Sequence, residues 1–366
     1  MMGTPPFPLW RPVLLFRGTL VDRSEPDLAH LRSIGDPERF GWAILPHVAR
    51  SFAASIVFLP QAPARAARVG YLYGRMLDTY EDMVPDPTQR IDGLQWLATR
   101  LSTGQLGAAA PEVEMVATNL REEVHKLLVE RCELVDRLYT RLPESDRAKV
   151  AVLVTEMAAS MQRWGATFAN QGGTLETDEQ LASYCDDVIG APARFALALT
   201  VRRPLSESQN RRVSTVSELV QLANVTRDIE RDLERGVSYH PALKPYLGEP
   251  VTDRQTHEQV RGVREELLVR ALRCVPAYTE LLEDLPLPML SAARGSGVLM
   301  LLFTDRYYRA CAVRVGHEPW RGSNSTVRLL GSSVLSVLSR RWARRTARRV
   351  ETRFLAAADS IEGSGA

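Results

Sequence analysis

Residues 71–82 read Tyr71-Leu-Tyr-Gly-Arg75-Met-Leu-Asp78-Thr-Tyr-Glu81-Asp82, and this segment predicts a helix with reactive groups on one side. Four of its polar residues are spaced i, i+4, i+7 and i+11 and therefore share one face of an α-helix: Tyr71, Arg75, Asp78 and Asp82. Glu81 lies beside this face, three positions after Asp78. Leucine and methionine flank the face, whereas a solvated helix face is usually surrounded by polar residues. We call these five polar residues the first acidic stripe.

A second segment repeats this arrangement between residues 221 and 232. Asn224, Asp228 and Asp232 are spaced i, i+4 and i+8, so they also share a helix face. Gln221 and Arg227 stand close to that face. We call these five residues the second acidic stripe.

Two helices with carboxylates at this spacing can face each other across a bundle and line the gap between them with oxygen atoms. Such a gap suits Mg²⁺, which keeps several waters and binds a few carboxylates together with substrate phosphates. Arg75 and Arg227 would oppose a bare cation, but they favour a diphosphate because arginine and metal both bind its oxygens. The alternative interpretation, a surface charge pair, fits one Asp-x-x-x-Asp better than two such stripes.

The composition of the chain excludes several classes of protein. The 366 residues carry 46 Lys and Arg against 44 Asp and Glu, with 45% hydrophobic residues, which excludes wholesale disorder and a multispanning membrane protein. A net charge of +2 argues against a general nucleic-acid binder. The four cysteines are far apart, as is typical of thiols in a reducing compartment. With no basic n-region and no apolar run near ~18 residues, we expect a cytoplasmic protein.

Helical periodicity dominates the chain and strand alternation is nearly absent, which predicts an all-α fold. Long helices are expected at about 37–59, 64–84, 112–141, 144–170 and 206–235. Residues 1–36 predict an irregular N-terminal arm, and residues 37–325 predict one large helical bundle with its functional groups inside. Residues 326–366 predict a basic C-terminal helix and tail.

The two stripes resemble the aspartate-rich motifs of the squalene/phytoene synthase family. Three other segments resemble that family in the same order: Ala49-Arg50-Ser51-Phe52, Tyr184-Cys185-Asp-Asp-Val188-Ile-Gly190 and Gly236-x-x-Tyr239-x-Pro241. The resemblance covers about residues 40–320. It implies an all-α isoprenoid-synthase fold with a central active-site cavity.

The resemblance also implies an activity, the Mg²⁺-dependent head-to-head (1′-1) condensation of two prenyl diphosphates. The first product would be a cyclopropylcarbinyl diphosphate, and rearrangement would give squalene or a related hydrocarbon. We favour farnesyl diphosphate as the substrate. Mn²⁺ is an alternative metal, NADPH is an optional reductant, and neither a nucleic acid nor an obligate protein partner is expected.

The resemblance assigns the site residues to three roles. The implied catalytic residues are Tyr184, Asp78, Asp82, Asp228 and Asp232. The implied metal ligands are Asp78, Glu81, Asp82, Asn224, Asp228 and Asp232. The implied substrate contacts are Arg50, Ser51, Phe52, Tyr71, Arg75, Gln221, Asn224, Arg227 and Tyr239. Tyr184 would lie near the first cation as a proton acceptor or oriented dipole, or else it is an ordinary core tyrosine.

Three positions depart from the family pattern. Arg231 stands where the family usually has glutamate, and the nearest glutamate, Glu230, is one position earlier. Val237 replaces an arginine after the loop glycine, while Pro192 follows Gly190 and is expected to reshape that helix. Three alternatives stay open: a phytoene synthase using geranylgeranyl diphosphate, a terpene cyclase of similar fold, against which the Tyr184 and Arg50-Ser51-Phe52 segments argue, or a non-catalytic prenyl-diphosphate binder, which only the Arg231 departure supports.

The segment from Val327 to Val350 contains seven arginines and no acidic residue. One interpretation is a surface helix that rests on anionic lipid, which implies peripheral membrane association. The other is a solvated basic helix packed on the domain.

Overall fold

The computed structural model describes residues 14–15, 25–49, 51–201 and 203–364, and this part of the chain contains α-helices and no β-strand. An isolated bridge joins Thr174 and Ser238. The predicted all-α class is confirmed. Within these residues, none of the helices combines the length and hydrophobicity that a bilayer crossing requires.

The chain divides into two compact units. The first unit consists of Met1–Gln162 and Phe195–Arg202, and the second consists of Arg163–Arg194 and Arg203–Ala366. The predicted boundaries after residues 36 and 325 stay predictions.

The first helix of the first unit is short and lies inside the predicted N-terminal arm. The helices of this unit are α1 (Leu28–Ser33), α2 (Pro37–Ala49), α3 (Ser51–Phe58), α4 (Gln61–Met83), α5 (Pro87–Thr103), α6 (Leu120–Glu130) and α7 (Cys132–Thr140). Two helices contain residues of both units, α8 (Glu144–Asn170) and α10 (Ala191–Thr200).

The second unit contains the remaining helices. They are α9 (Asp178–Cys185), a π-helical turn (Asp186–Gly190), α11 (Glu207–Glu234), a 3₁₀ turn (Pro241–Tyr246), α12 (Arg254–Arg273), α13 (Val275–Asp284), α14 (Ala292–Arg314), α15 (Thr326–Leu338) and α16 (Arg340–Ser364).

Helix α4 carries the first acidic stripe, and its limits lie within a few residues of those expected. Extended backbone at Val84, followed by a proline, ends the helix. Gly70 lets this helix approach its neighbours closely, because a Cβ there would lie 2.6 Å from the ring of Phe195. The stripe is thereby built on a tightly packed element.

Helix α11 carries the second acidic stripe and is the longest helix described, with both ends clearly specified. Ser206 and Gln209 form a reciprocal capping box at its start. After its end, Gly236 adopts a φ of 75°, a left-handed conformation that favours glycine. Arg264 of α12 fixes the middle of the helix, since its Nε donates to the Thr226 carbonyl at 2.8 Å.

Several predicted helices are interrupted. The helix expected at about 112–141 is non-helical up to residue 119, and Arg131 separates α6 from α7. The last helix divides at Ser339, which has an extended backbone between α15 and α16. Helix α5 was not expected; Asp86 caps it, with Pro87 at its first position.

Candidate active site

The first acidic stripe is held by contacts along α4. Arg75 lies 3.2 Å from the Asp78 carboxylate, and the two side chains expose 25% and 29% of their surfaces. The same guanidinium donates to the Tyr71 hydroxyl at 3.2 Å. That hydroxyl in turn donates to the Val48 carbonyl at 3.3 Å. Three predicted site residues are therefore in direct contact.

The segment before the stripe is only partly described. The Phe52 ring is 6.2 Å from the Tyr71 ring, so this predicted contact residue adjoins the stripe. Ser51 begins α3, and only its backbone is described. Arg50 lies outside the described residues, so its predicted role stays a prediction.

The carboxylates of the first stripe are crowded. Burial raises the pKa of Asp78, and Asp82 raises it further, although Arg75 opposes both effects. Burial and the charges of Asp82 and Asp78 raise the pKa of Glu81 to about 8. Like charges that raise each other's pKa favour a cation nearby.

The donor set of this stripe fits Mg²⁺, because carboxylate oxygens are the hard ligands this ion prefers. No three His, Cys, Asp or Glu side chains in the described part of the chain form a ready-made metal site. The predicted metal ligands in both stripes therefore stay a prediction. The crowding at Glu81 is the observation of this structure that supports it.

The second acidic stripe is also linked by hydrogen bonds along its helix. The Asn224 amide donates to the Gln221 side-chain oxygen at 3.1 Å, and Gln221 is buried. Arg227 makes two hydrogen bonds to Asp228, at 2.8 and 2.5 Å. These hydrogen bonds raise the pKa of Arg227 above its ordinary value. Asp232 is half-buried two positions before the end of the helix.

Glu230 is turned away from this stripe by a specific partner. The buried Arg264 donates to its carboxylate at 2.5 Å. Arg231, which stands in the position of the expected glutamate, is exposed. The carboxylate shifted by one position is therefore engaged elsewhere.

Tyr184 and Tyr239 form the centre of an aromatic cluster in the second unit. Their hydroxyl oxygens are 3.3 Å apart and their ring centroids 5.1 Å apart. Trp164 packs edge-on against Tyr184 at 5.5 Å. Phe168 packs edge-on against both tyrosines, at 6.1 and 5.8 Å. Aromatic faces of this kind attract cations.

A close approach of two turns positions Tyr239. Ser238 donates its backbone N–H to the Gly173 carbonyl at 2.8 Å, and Leu175 donates back to Ser238 at 3.0 Å. Gly173 has a φ of 89°, and a Cβ there would lie 2.3 Å from the Gly236 carbonyl oxygen. Only glycine fits this contact.

The expected reshaping by Pro192 takes the form of a π-helical turn over Asp186–Gly190. Ala191 donates its N–H to the Asp186 carbonyl, five residues back. Pro192 has no N–H to donate, and its ring crowds the carbonyl four residues earlier, so a wider turn relieves the contact. Such turns are frequent at functional sites.

The π-helical turn exposes charged contacts that the sequence did not predict. Arg194 donates to both Asp186 oxygens, at 2.8 and 3.0 Å, and to the Ser214 hydroxyl at 2.9 Å. Asp187 accepts from the Trp164 indole at 2.8 Å and pairs with Arg163. The Asp186-Asp187 dipeptide beside Tyr184 was the only available signal.

Solved structures show that this protein has the all-α fold of isoprenoid synthases. TcSQS in complex with the ligand E5700 has a TM-score of 0.65 at 20% identity, covering 89% of this chain and 99% of that chain. A dehydrosqualene synthase in complex with a ligand has a TM-score of 0.52 at 17% identity, covering 88% and 97%. Squalene synthase HpnC from Alicyclobacillus acidocaldarius has a TM-score of 0.50 at 18% identity, covering 80% and 98%.

Residues 45–321 match the family model for squalene/phytoene synthase, which is more than half of the chain. The chain belongs to the squalene/phytoene synthase family. Its members are prenyltransferase-type head-to-head synthases of isoprenoid biosynthesis, and the predicted resemblance is confirmed. Among curated proteins, none matches the sequence significantly.

Proposed function

We propose that this protein catalyses the Mg²⁺-dependent head-to-head condensation of two farnesyl diphosphates. The first product is a cyclopropylcarbinyl diphosphate, and the final product is squalene or a related C30 compound. The carrying observation is that two helices each present carboxylates at i, i+4 with an arginine beside them, in a chain of this family.

The first half of the reaction breaks an allylic carbon–oxygen bond, and its electrons leave with the diphosphate. The carboxylates of the acidic stripes would hold Mg²⁺, and the ion would supply neutralisation of the charge on the leaving oxygens. Arg75 and Arg227 are each a candidate for binding diphosphate oxygens and orienting that group. Each is already held by an aspartate of its own stripe, so little side-chain entropy remains to be lost when the substrate binds.

The carbocation that forms is then attacked by the double bond of the second molecule, and a proton is lost as the cyclopropane closes. The Tyr184 hydroxyl is paired with that of Tyr239. It is the candidate group that stabilises this cation through its oriented dipole or accepts the proton. Trp164 packs against Tyr184 and Phe168 packs against both tyrosines, which supports an aromatic environment for the cation.

The metal assignment extends to Asp78, Glu81, Asp82, Asn224, Asp228 and Asp232, as the resemblance implies. Mn²⁺ would substitute for Mg²⁺ because its oxygen preference is similar. NADPH enters only if the final cation is reduced.

The test is incubation of the purified protein with C15 and C20 prenyl diphosphates and Mg²⁺, with and without NADPH, followed by mass analysis of the lipids. The proposal expects C30 products from the C15 substrate and none from an Asp82→Asn variant. Exclusive use of C20 substrate would indicate a phytoene synthase. A cyclised product from one substrate molecule would indicate a terpene cyclase, and diphosphate binding without turnover would indicate a non-catalytic binder.

A further inference from the structure

Helix α15 in the second unit has a reversed distribution of polar and apolar side chains. Its buried face includes Ser333 and Ser336, both 0% exposed, whose hydroxyls donate to backbone carbonyls one turn earlier. Its outward face includes Val334, Leu335 and Leu338, which are 48%, 44% and 58% exposed. A helix facing water normally has the opposite arrangement. The outward face of α15 therefore has the character of a contact surface.

Neighbouring exposed side chains extend this face into a patch. Seven of the twelve large apolar side chains that are exposed in the described residues lie on α15 or on the segments next to it, so they are concentrated and not scattered. The apolar patch consists of Met289, Leu290, Val334, Leu335, Leu338 and Trp342.

Direct hydrogen bonds hold the patch together. Ser291 donates its N–H to the Val337 carbonyl at 3.1 Å, which places Met289 and Leu290 beside the end of α15. The buried Arg294 donates to the carbonyls of Met289 and Val337, at 2.5 and 3.0 Å. These bonds join the two segments of the patch.

Trp342 continues the patch across the break between the last two helices. Its indole N–H donates to the Ser332 hydroxyl at 3.2 Å, so the ring lies along α15. The patch is therefore a fixed feature of the fold, and its exposure does not arise from a loose segment.

A row of arginines borders the patch on α16. Ala343, Ala347, Val350 and Phe354 face the interior. Arg341, Arg345 and Arg349 are spaced i, i+4 and i+8 on the opposite, exposed face, next to Trp342. None of these three arginines forms an ion pair within residues 25–49, 51–201 and 203–364. Arg344 and Arg348 lie beside this row on the same exposed half of the helix, and both pair with Glu283.

We infer that the apolar patch and its arginine row dock the protein onto an anionic lipid surface. Exposed apolar side chains beside unpaired arginines match the acyl and phosphate layers of such a surface. A protein partner would need acidic groups around an apolar centre to match equally well, whereas anionic lipid presents both everywhere. The chain as a whole carries a net charge of only +2, so attraction to anionic lipid depends on this local concentration of charge.

The test is co-sedimentation of the full chain with vesicles of equal parts phosphatidylglycerol and phosphatidylcholine, compared with pure phosphatidylcholine, at about 0.1 M salt. We expect at least fivefold more bound protein with the anionic vesicles. Leu335→Ser/Leu338→Ser should lower the bound fraction at least fivefold, and so should Arg341→Glu/Arg345→Glu. Quenching by brominated lipid should be reduced in Trp342→Phe.

Two matched controls separate this surface from general hydrophobicity and charge. Val152→Ser/Val313→Ser removes two side chains of similar exposure, 55% and 56%, elsewhere. Arg137→Glu/Arg141→Glu changes the net charge by the same amount on α7 and the residue that follows it. Both controls should bind within twofold of wild type, and thermal melting should show that every variant is folded.

Three outcomes would overturn the inference. The first is no binding to anionic vesicles at low salt. The second is equal loss of binding in the controls, which would mean that another surface binds lipid. The third is a dimer in size-exclusion chromatography that Leu335→Ser/Leu338→Ser dissociates, without any vesicle binding, which would make the patch an interface between copies.

Discussion

The hydroxyl oxygens of Tyr184 and Tyr239 lie 3.3 Å apart, although 55 positions separate the two residues in the chain. Tyr184 is in the last turn of α9, and Tyr239 follows the turn that ends α11. Each belongs to a different sequence segment, and nothing in either segment indicates the other. Their meeting creates a pair of hydroxyls next to two further aromatic rings, Trp164 and Phe168.

Removing one hydroxyl of this pair tests its role in the reaction. Tyr184→Phe keeps the ring's contacts with Trp164 and Phe168 and removes only the hydroxyl. If that hydroxyl acts on the cation or its proton, turnover should fall at least ~10²-fold, the scale of a positioned acid or base. Turnover and thermal melting are measured on the same preparation.

Tyr239→Phe is the matched variant, because it removes the partner hydroxyl and leaves that of Tyr184. It should reduce turnover less than Tyr184→Phe does. If melting temperature drops in Tyr184→Phe while turnover stays normal, Tyr184 is a core tyrosine.

Neutralising the stripes tests the metal sites. Asp78→Asn, Asp82→Asn, Asp228→Asn and Asp232→Asn keep the shape of the side chain and remove its charge, so each should lower turnover by orders of magnitude in a folded protein. Asp92→Asn, on the exposed side of α5, is the control. Near-normal turnover in Asp82→Asn would refute Asp82 as a metal ligand. Circular dichroism checks that each variant is folded.

The raised pKa of Glu81 gives the fold a pH dependence with a definite sign. The ordinary value is 4.5 and the folded value is about 8, so the folded protein holds this proton more tightly than the unfolded chain does. The free energy of unfolding without metal should therefore fall as pH rises from about 4.5 to about 8. Denaturant titrations in EDTA measure this fall, and Glu81→Gln should remove part of it.

Added Mg²⁺ tests whether the Glu81 carboxylate binds the metal in its ionised form. Because bound metal favours the ionised form, Mg²⁺ should raise the melting temperature more at about pH 8.5 than at about pH 6. Glu81→Gln should lose this difference. An equal Mg²⁺ effect in both proteins at both pH values would exclude Glu81 as a ligand.

The π-helical turn depends on the absence of a side chain at Gly190. A Cβ there would lie 2.1 Å from the Asp186 carboxylate, so Gly190→Ala must displace the Asp186–Arg194 pair. We expect a loss of about 1–3 kcal/mol in the free energy of unfolding. Gly262→Ala on α12 is the control; it meets nothing within 4 Å and should gain about 0.5–1 kcal/mol. Equal effects would show that the turn tolerates a side chain.

The exposed Arg231 predicts a change in product. If the second ionisation needs a carboxylate at that position, wild type should accumulate the cyclopropyl diphosphate or an alcohol, and Arg231→Glu should shift the ratio toward the rearranged hydrocarbon. Glu230→Gln should leave the ratio unchanged, because Arg264 already holds that carboxylate. Identical product profiles for wild type and Arg231→Glu would remove any mechanistic importance from the substitution.

The helices that carry the stripes were predictable because the helical spacing of their residues agrees with the residues that begin and end a helix. Prolines lie at both ends of α4. The capping box of Ser206 and Gln209 marks the start of α11. Within each stripe, local spacing also predicts the observed contacts, such as Arg75 with Asp78. Contacts between residues three or four positions apart need no knowledge of the tertiary fold.

Contacts over long sequence distances were not predictable. Arg264 holds Glu230 across 34 positions, and Asp187 meets Trp164 across 23. The break at Arg131 was also missed, since its flanking residues keep a helical period. Pro192 predicted a distortion of the helix but not its type. A kink and a π-helical turn both relieve the steric clash of a proline ring with the preceding turn.

The contact between Gly173 and the Gly236 carbonyl restricts which substitutions this protein can accept during evolution. Most tight contacts can be repaired when an enlarged residue at one position is offset by a smaller residue at the other. Here one side is a glycine and the other is main chain, so neither side has atoms left to remove. A substitution at Gly173 consequently has no compensating partner, and the turn that carries Tyr239 can only be kept whole or rebuilt with a loop of different length.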